Sequence, residues 1–166
     1  MQRLQLAAPR AAAVWLILAA ILFLGSARPV CAVVSAADEG TLAGMALQWA
    51  LAGGIPDVKL LKDPSTLMVA DFNLRRGIQL TVPGHNIALA SLPHIQAHAD
   101  LKGDMLYFRF DRFTGDASHA TVAIALVWAV SANSTAHYLS GGGATLEFEK
   151  VNGAWQLKPV KQRWVS

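Results

Sequence analysis

The chain has 166 residues, of which 54% are hydrophobic and 15% charged, and a single cysteine. Arg3, Arg10 and Arg28 all precede residue 37, and the 14 basic residues less these three leave 11, which balance the 11 acidic residues. This balance excludes a broad basic surface, so we expect no nucleic-acid partner. A single cysteine also excludes an intramolecular disulfide.

The N-terminal segment is typical of a secretory signal. Residues 11–25 form an uncharged apolar run behind Arg3 and Arg10, and small residues follow the run. The run is shorter than the ~20 residues that span a bilayer core, so we expect cleavage and a periplasmic or secreted domain. We assign residues 1–36 to the signal and residues 38–166 to one domain, and leave three cleavage positions open: after Ala27, Ala32 or Ala36. If the leader were retained, it would anchor the domain to the membrane, outside the cytoplasm.

The first predicted element of the domain is a helix. Apolar residues recur at helical spacing between residues 42 and 49, which predicts a helix over 38–52 that begins at Ser35 or Asp38 as its cap. Gly40 and Gly44 each cost about 1 kcal/mol relative to alanine. We therefore expect tertiary packing to stabilise this helix.

Two short strands and a second helix follow. The apolar stretches 67–72 and 78–82 predict the strands, with a turn at residues 75–77 between them. Ser91 is a good N-cap and Pro93 fits a first helical turn. These signals predict a second helix that ends at Lys102-Gly103.

From Asp104 onward the hydrophobic period changes to two, which predicts antiparallel strands. Residues 120–130 are apolar on both faces, with bulky residues such as Trp128 on one and alanines on the other, which predicts a central strand with a helix packed on its alanine face. Asn152-Gly153 is the sequence of a type I′ hairpin turn, and Trp155 continues the next strand. We therefore predict an α+β fold: a helix, two short strands, a second helix, and a curved four-stranded antiparallel meander packed on the helices.

This order of elements resembles the nuclear transport factor 2-like superfamily, cystatin-like cones of helices wrapped by a curved sheet. The resemblance depends on the helix-then-meander order and on the pattern of alternating residues from Leu146 through Asn152-Gly153 to Leu157. The chain also resembles small exported bacterial proteins of unknown role with a Ser-Gly-Gly-Gly before the penultimate strand, here residues 140–143. The superfamily includes isomerases, dehydratases, hydrolases and non-catalytic proteins, so the resemblance implies a fold and not a function.

Two motifs could bind a metal or an anion, and we interpret neither of them in that way. His94 and His98 are four residues apart on one predicted helix face, but no third metal ligand is evident. Gly141, Gly142 and Gly143 lead into a strand and lack the lysine of a phosphate loop. We therefore predict no metal and no cofactor, and a structural role for these glycines and for Trp128, Asn152, Gly153 and Trp155.

Two further groups are candidates for chemistry. Asp71 is the one acid in the apolar stretch 67–72, and burial would make it a usable base with His85 or His137 as its partner. The second group consists of side chains that could line a pocket: Tyr107, Arg109, Trp128 and Tyr138.

These observations favour an exported, non-catalytic binding or assembly module. Its partner would be another protein or a small apolar ligand. The alternative is a small cofactor-free enzyme, an isomerase, dehydratase or hydrolase, that uses an Asp–His pair in a pocket.

Overall fold

The computed structural model describes residues 34–136, 138 and 141–164. Residues 1–33 of the predicted signal and His137 lie outside the described residues. Over the described residues the fold is α+β, with two α-helices and a curled mixed sheet. None of the helices in the described ranges is both long enough and apolar enough to cross a membrane.

Helix α1 (Ala36–Trp49) begins two residues before the predicted start. Ser35 is its N-cap, because the Ser35 hydroxyl accepts a hydrogen bond from the Asp38 backbone N–H at 3.1 Å. A wider turn, Ala50–Gly54, follows the helix, and a short 3₁₀ helix spans Pro56–Leu60. Gly53 ends the helical path because it adopts φ +92°, which a residue with a Cβ rarely does.

Seven strands form the sheet: β1 (Thr66–Ala70), β2 (Asn86–Ala90), β3 (Met105–Gly115), β4 (His119–Ala129), β5 (Gly143–Val151), β6 (Ala154–Leu157) and β7 (Gln162–Trp164). Their order is β2-β1-β3-β4-β5-β6, and β7 pairs with β5. Strands β3 to β6 are antiparallel neighbours in chain order, so the predicted four-stranded meander is confirmed. The prediction lacked β7 and the parallel pairing of β1 with both β2 and β3.

The second predicted strand was wrong. Residues 78–82 are not in the sheet but lie against α1, where Ile78 and Val82 are buried. The carbonyl oxygens of Gln79 and Thr81 are so close to this helix that a Cβ at Gly40 or Gly44 would lie 2.5 or 2.7 Å from them. The two glycines therefore make room for the segment, and the strand that pairs with β1 is instead β2.

Helix α2 (Leu92–Lys102) packs on the opposite face of the sheet from α1. Alternate residues divide the two layers: Phe108 and Val69 face the main core with α1, whereas Tyr107 and Ala70 face α2. The prediction did not specify that the two helices cover opposite faces of the sheet. Two layers form because β4 is apolar on both faces, and Ala129 lies in the cluster that α2 covers.

A β-bulge bends β3. Phe110 pairs with Ile124 and Arg112 with Ala123, so Asp111 is the extra residue. The Asn73 amide donates to the carbonyl oxygens of Phe110 and Asp111 at 3.2 and 3.0 Å. The bulge shifts the side-chain alternation, so Phe113 also contacts the main core, with its ring centroid 5.2 Å from that of Phe110.

Two carboxylates in the first turn of α1 bind distant segments. Asp38 accepts hydrogen bonds from the Lys150 ammonium at 2.8 Å and the Trp155 indole N–H at 2.7 Å. Glu39 is buried and accepts from the backbone N–H of Arg75 at 2.9 Å, with the Arg75 Nε 3.1 Å from its second oxygen. The first turn of α1 thus holds the β5–β6 hairpin and the loop after β1.

Candidate ligand-binding site

A cavity of about 350 Å³ opens where the loop before β1, the end of α2 and the start of β3 meet. Its volume is at the lower end of the range of ligand pockets, ~300–1,000 Å³. Its apolar lining residues are Leu60, Leu61, Met68, Met105, Leu106 and Trp128. Its charged or titratable lining residues are Lys62, Asp63, His98, Lys102 and Asp104.

Gly103 connects two segments of this lining, the end of α2 and the start of β3. It ends α2 at φ +87°, and its N–H donates to the Ala99 carbonyl at 2.8 Å. The chain then turns directly into β3, so that Lys102 and Met105 line the same cavity. Helix end, turn and strand start thus build this part of the site from residues that are close in sequence.

Trp128 lines the cavity and stacks on the exposed side chain of Tyr138. The rings of Trp128 and Tyr138 are stacked, with centroids 4.0 Å apart and planes at 14°. Trp128 is half-buried and lies opposite Leu106 in the β3–β4 register. Trp128 gives the cavity lining an aromatic side chain, which suits an apolar ligand.

Asp104 holds the segment that carries Tyr138. Its carboxylate accepts a hydrogen bond from the Ser134 hydroxyl at 2.6 Å and from the Ser131 backbone N–H at 2.7 Å. These bonds lower the pKa of Asp104, and its hydrogen bond with Tyr138 raises the pKa of that phenol. Asp104 is therefore ionised at neutral pH and engaged with protein donors, which suits an anchor and not a general base.

Asp63 is engaged in the same way. One of its oxygens accepts from the Ser65 hydroxyl at 2.6 Å and the Ser65 backbone N–H at 2.9 Å. These bonds lower the pKa of Asp63. Its carboxylate closes the turn before β1, so its charge serves the local fold.

The structure does not bring Asp71 and His85 together. Asn86 pairs with Thr66 and Ala90 with Ala70, so His85 is level with Ser65 whereas Asp71 follows the far end of β1. At ~3.3 Å per residue the two are about 20 Å apart along the strands. Asp71 is exposed, and the His85 ring hydrogen-bonds to the Pro64 carbonyl. The third candidate, His137, lies outside the described residues.

His94 and His98 are both exposed on α2. The His94 ring contacts the Ser91 hydroxyl at the helix cap, at 3.0 Å, and His98 lies at the cavity. Over the described ranges no group of three or more His, Cys, Asp or Glu side chains is arranged to hold a metal ion.

The structural glycines lie beside strand backbones. Gly142 adopts φ +84°, and its carbonyl accepts from the Leu126 N–H at 2.9 Å. A Cβ at Gly141 or Gly143 would lie 2.7 Å or less from a β4 carbonyl oxygen. Asn152 and Gly153 both have positive φ in the β5–β6 hairpin, at 50° and 82°.

Half of the predicted pocket group lies at the site. Trp128 lines the cavity and Tyr138 stacks on it, whereas Tyr107 is buried in the cluster beneath α2 and Arg109 pairs with Asp111 at 2.6 Å. The sequence analysis did not identify Asp104 as an anchor. The signal that could have found it is a loop rich in hydroxyl and amide groups, 131–135, directly after the strand that pairs with β3.

No protein-family model, curated protein or solved structure matches this chain.

Proposed function

We propose that this chain is an exported, non-catalytic binding protein whose cavity beside Trp128 takes a small apolar ligand. The proposal depends above all on the cavity itself, whose lining includes six apolar residues, one of which, Trp128, stacks on Tyr138. The basic, apolar and small-residue order of the first 36 residues supports export. An overall likeness to the nuclear transport factor 2-like superfamily remains part of this proposal.

The state of the acids favours binding over catalysis. Asp63 and Asp104 are held by protein donors with their pKa values lowered, so neither is suited to take a proton from a substrate. The Asp71–His85 pair of the enzyme alternative is about 20 Å apart along the strands. The polar groups of the cavity thus position a ligand better than they would transform it.

The binding function can be tested with the neutral fluorophore N-phenyl-1-naphthylamine. Thr66 is exposed and lines the cavity, and Leu61 lines it from the preceding loop. We expect Thr66→Trp and, separately, Leu61→Trp to weaken binding of the fluorophore at least tenfold, because each fills the cavity. Thr114→Trp is the matched control, since Thr114 is exposed at the far end of β3.

The comparison requires that each variant melt within a few degrees of the wild type. Cavity variants at two positions, Thr66 and Leu61, keep the test valid if one of them fails to fold. Equal binding by the wild type and both cavity variants would refute the proposed site.

Export is tested by mass spectrometry of the mature protein. A mature N-terminus directly after residue 27, 32 or 36 is expected, and one at Met1 would contradict cleavage.

A further inference from the structure

We propose that the ligand of this cavity carries an anionic group, held by Lys62 and Lys102, on an apolar body that packs on Trp128. This inference rests on the binding function proposed above. It concerns the charged residues of the cavity lining, in which both lysines occur together with Trp128.

The carboxylates of the cavity lining already accept hydrogen bonds from protein donors, which leaves them few acceptor positions for a ligand. Asp104 accepts from Ser131 and Ser134, and Asp63 accepts twice from Ser65. A cationic ligand would have to compete with these internal bonds. The acids therefore complete the fold around the cavity and leave recognition to other groups.

The lysines, in contrast, keep N–H donors that no acceptor among the described residues uses. The Lys62 ammonium donates to the Asp104 backbone carbonyl at 2.9 Å, which uses one of its three N–H groups and fixes its position. Lys102 is exposed at the last position of α2 and lines the same cavity. The two lysines therefore offer ammonium donors to a ligand in the cavity. Ammonium groups bind carboxylate, sulfonate or phosphate oxygens by charge-assisted hydrogen bonds.

Size and shape restrict the ligand further. A cavity of about 350 Å³ holds a small organic molecule and not a protein segment with several side chains. Trp128 in the lining favours an aromatic or planar apolar body. The ligand class is therefore a small apolar molecule with a single anionic group.

Two fluorophores with one scaffold separate the charge from the apolar body. 8-Anilinonaphthalene-1-sulfonate carries a sulfonate that N-phenyl-1-naphthylamine lacks. We expect the wild type to bind the sulfonate more tightly, and we expect Lys62→Gln/Lys102→Gln to weaken its binding about tenfold with the neutral fluorophore unaffected. High salt should weaken only the binding of the sulfonate, because salt screens exposed charges.

The control is Lys59→Gln/Lys161→Gln, which removes the same net charge from two exposed lysines outside the cavity. The inference is overturned if both double variants weaken binding of the sulfonate equally. It is also overturned if Lys62→Gln/Lys102→Gln weakens binding of both fluorophores equally. In either case the binding function stands as long as Thr66→Trp still abolishes binding of the neutral fluorophore. If Thr66→Trp has no effect on either fluorophore, the binding function itself fails and this inference fails with it.

Discussion

Gly44→Ala reverses the usual effect of this substitution in a helix. Replacing glycine by alanine inside a helix ordinarily stabilises it by about 1 kcal/mol, because the glycine chain loses more conformational entropy on folding. In α1, however, a Cβ at residue 44 would lie 2.7 Å from the Thr81 carbonyl oxygen, and one at Gly40 would lie 2.5 Å from that of Gln79. Cβ atoms essentially never approach another atom within 3.0 Å.

The magnitude follows from what has to move. The obstructing atoms belong to the backbone and cannot turn aside, so the segment 78–82 must retreat from α1 by several tenths of an ångström. Retreat would loosen the burial of Ile78 and Val82. Overpacking of this kind costs ~1–3 kcal/mol, which exceeds the gain in helix propensity. Subtracting the gain of about 1 kcal/mol in helix propensity, we expect each single variant to lower the free energy of unfolding by up to about 2 kcal/mol.

Urea denaturation followed by circular dichroism measures this change. Thr41→Ala is the control, since Thr41 is an exposed position of the same helix and gains a few tenths of a kcal/mol in propensity. Gly40→Ala/Gly44→Ala should cost less than the sum of the single variants, because both displace the same segment. A Gly44→Ala variant as stable as the wild type, or more stable, would refute the close approach of residues 78–82 to the helix.

Three further predictions concern the core, the hairpin and the first turn of α1. Phe108→Ala should cost about 3–5 kcal/mol in urea denaturation, because Phe108 is fully buried, and Trp128→Ala should cost less, because its indole is partly exposed; equal costs would contradict this difference. Gly153→Val should destabilise the β5–β6 hairpin by about 1–2 kcal/mol, because a β-branched residue is strained at φ +82°, and an unchanged melting temperature would contradict the turn geometry. Asp38→Asn should lower stability at neutral pH by about 1–3 kcal/mol, because its hydrogen bonds to Lys150 and Trp155 depress the pKa of Asp38 in the folded state. A depressed folded-state pKa gives stability that is present above the unfolded-state value of ~3.9 and is lost as the pH falls through the folded-state pKa. The difference between the wild type and Asp38→Asn should therefore begin to shrink below about pH 4 and vanish below the folded-state pKa; a difference that does not shrink as the pH falls below about 4 would contradict the role of the Asp38 charge.

Much of the local structure was predictable from the sequence. The N-cap at Ser91, the end of α2 at Gly103 and the period-two strands β3 to β5 all depend on residues within a few positions of one another. Short-range steric and hydrogen-bonding preferences decide such features, and the sequence displays them directly. The position of β2 was missed because residues 78–82 are as apolar as a strand, and local pattern alone cannot tell sheet pairing from packing on a helix.

The candidate site, by contrast, depends on residues that are distant in the chain. Lys62 reaches the Asp104 carbonyl across 42 positions, and Ser134 reaches the Asp104 carboxylate across 30. The sequence by itself determined the caps, the meander and the apolar nature of both faces of β4. Only the tertiary structure decided that α1 and α2 lie on opposite faces and that a cavity opens beside Trp128, because side-chain periodicity specifies which faces are buried but not which distant segment covers them.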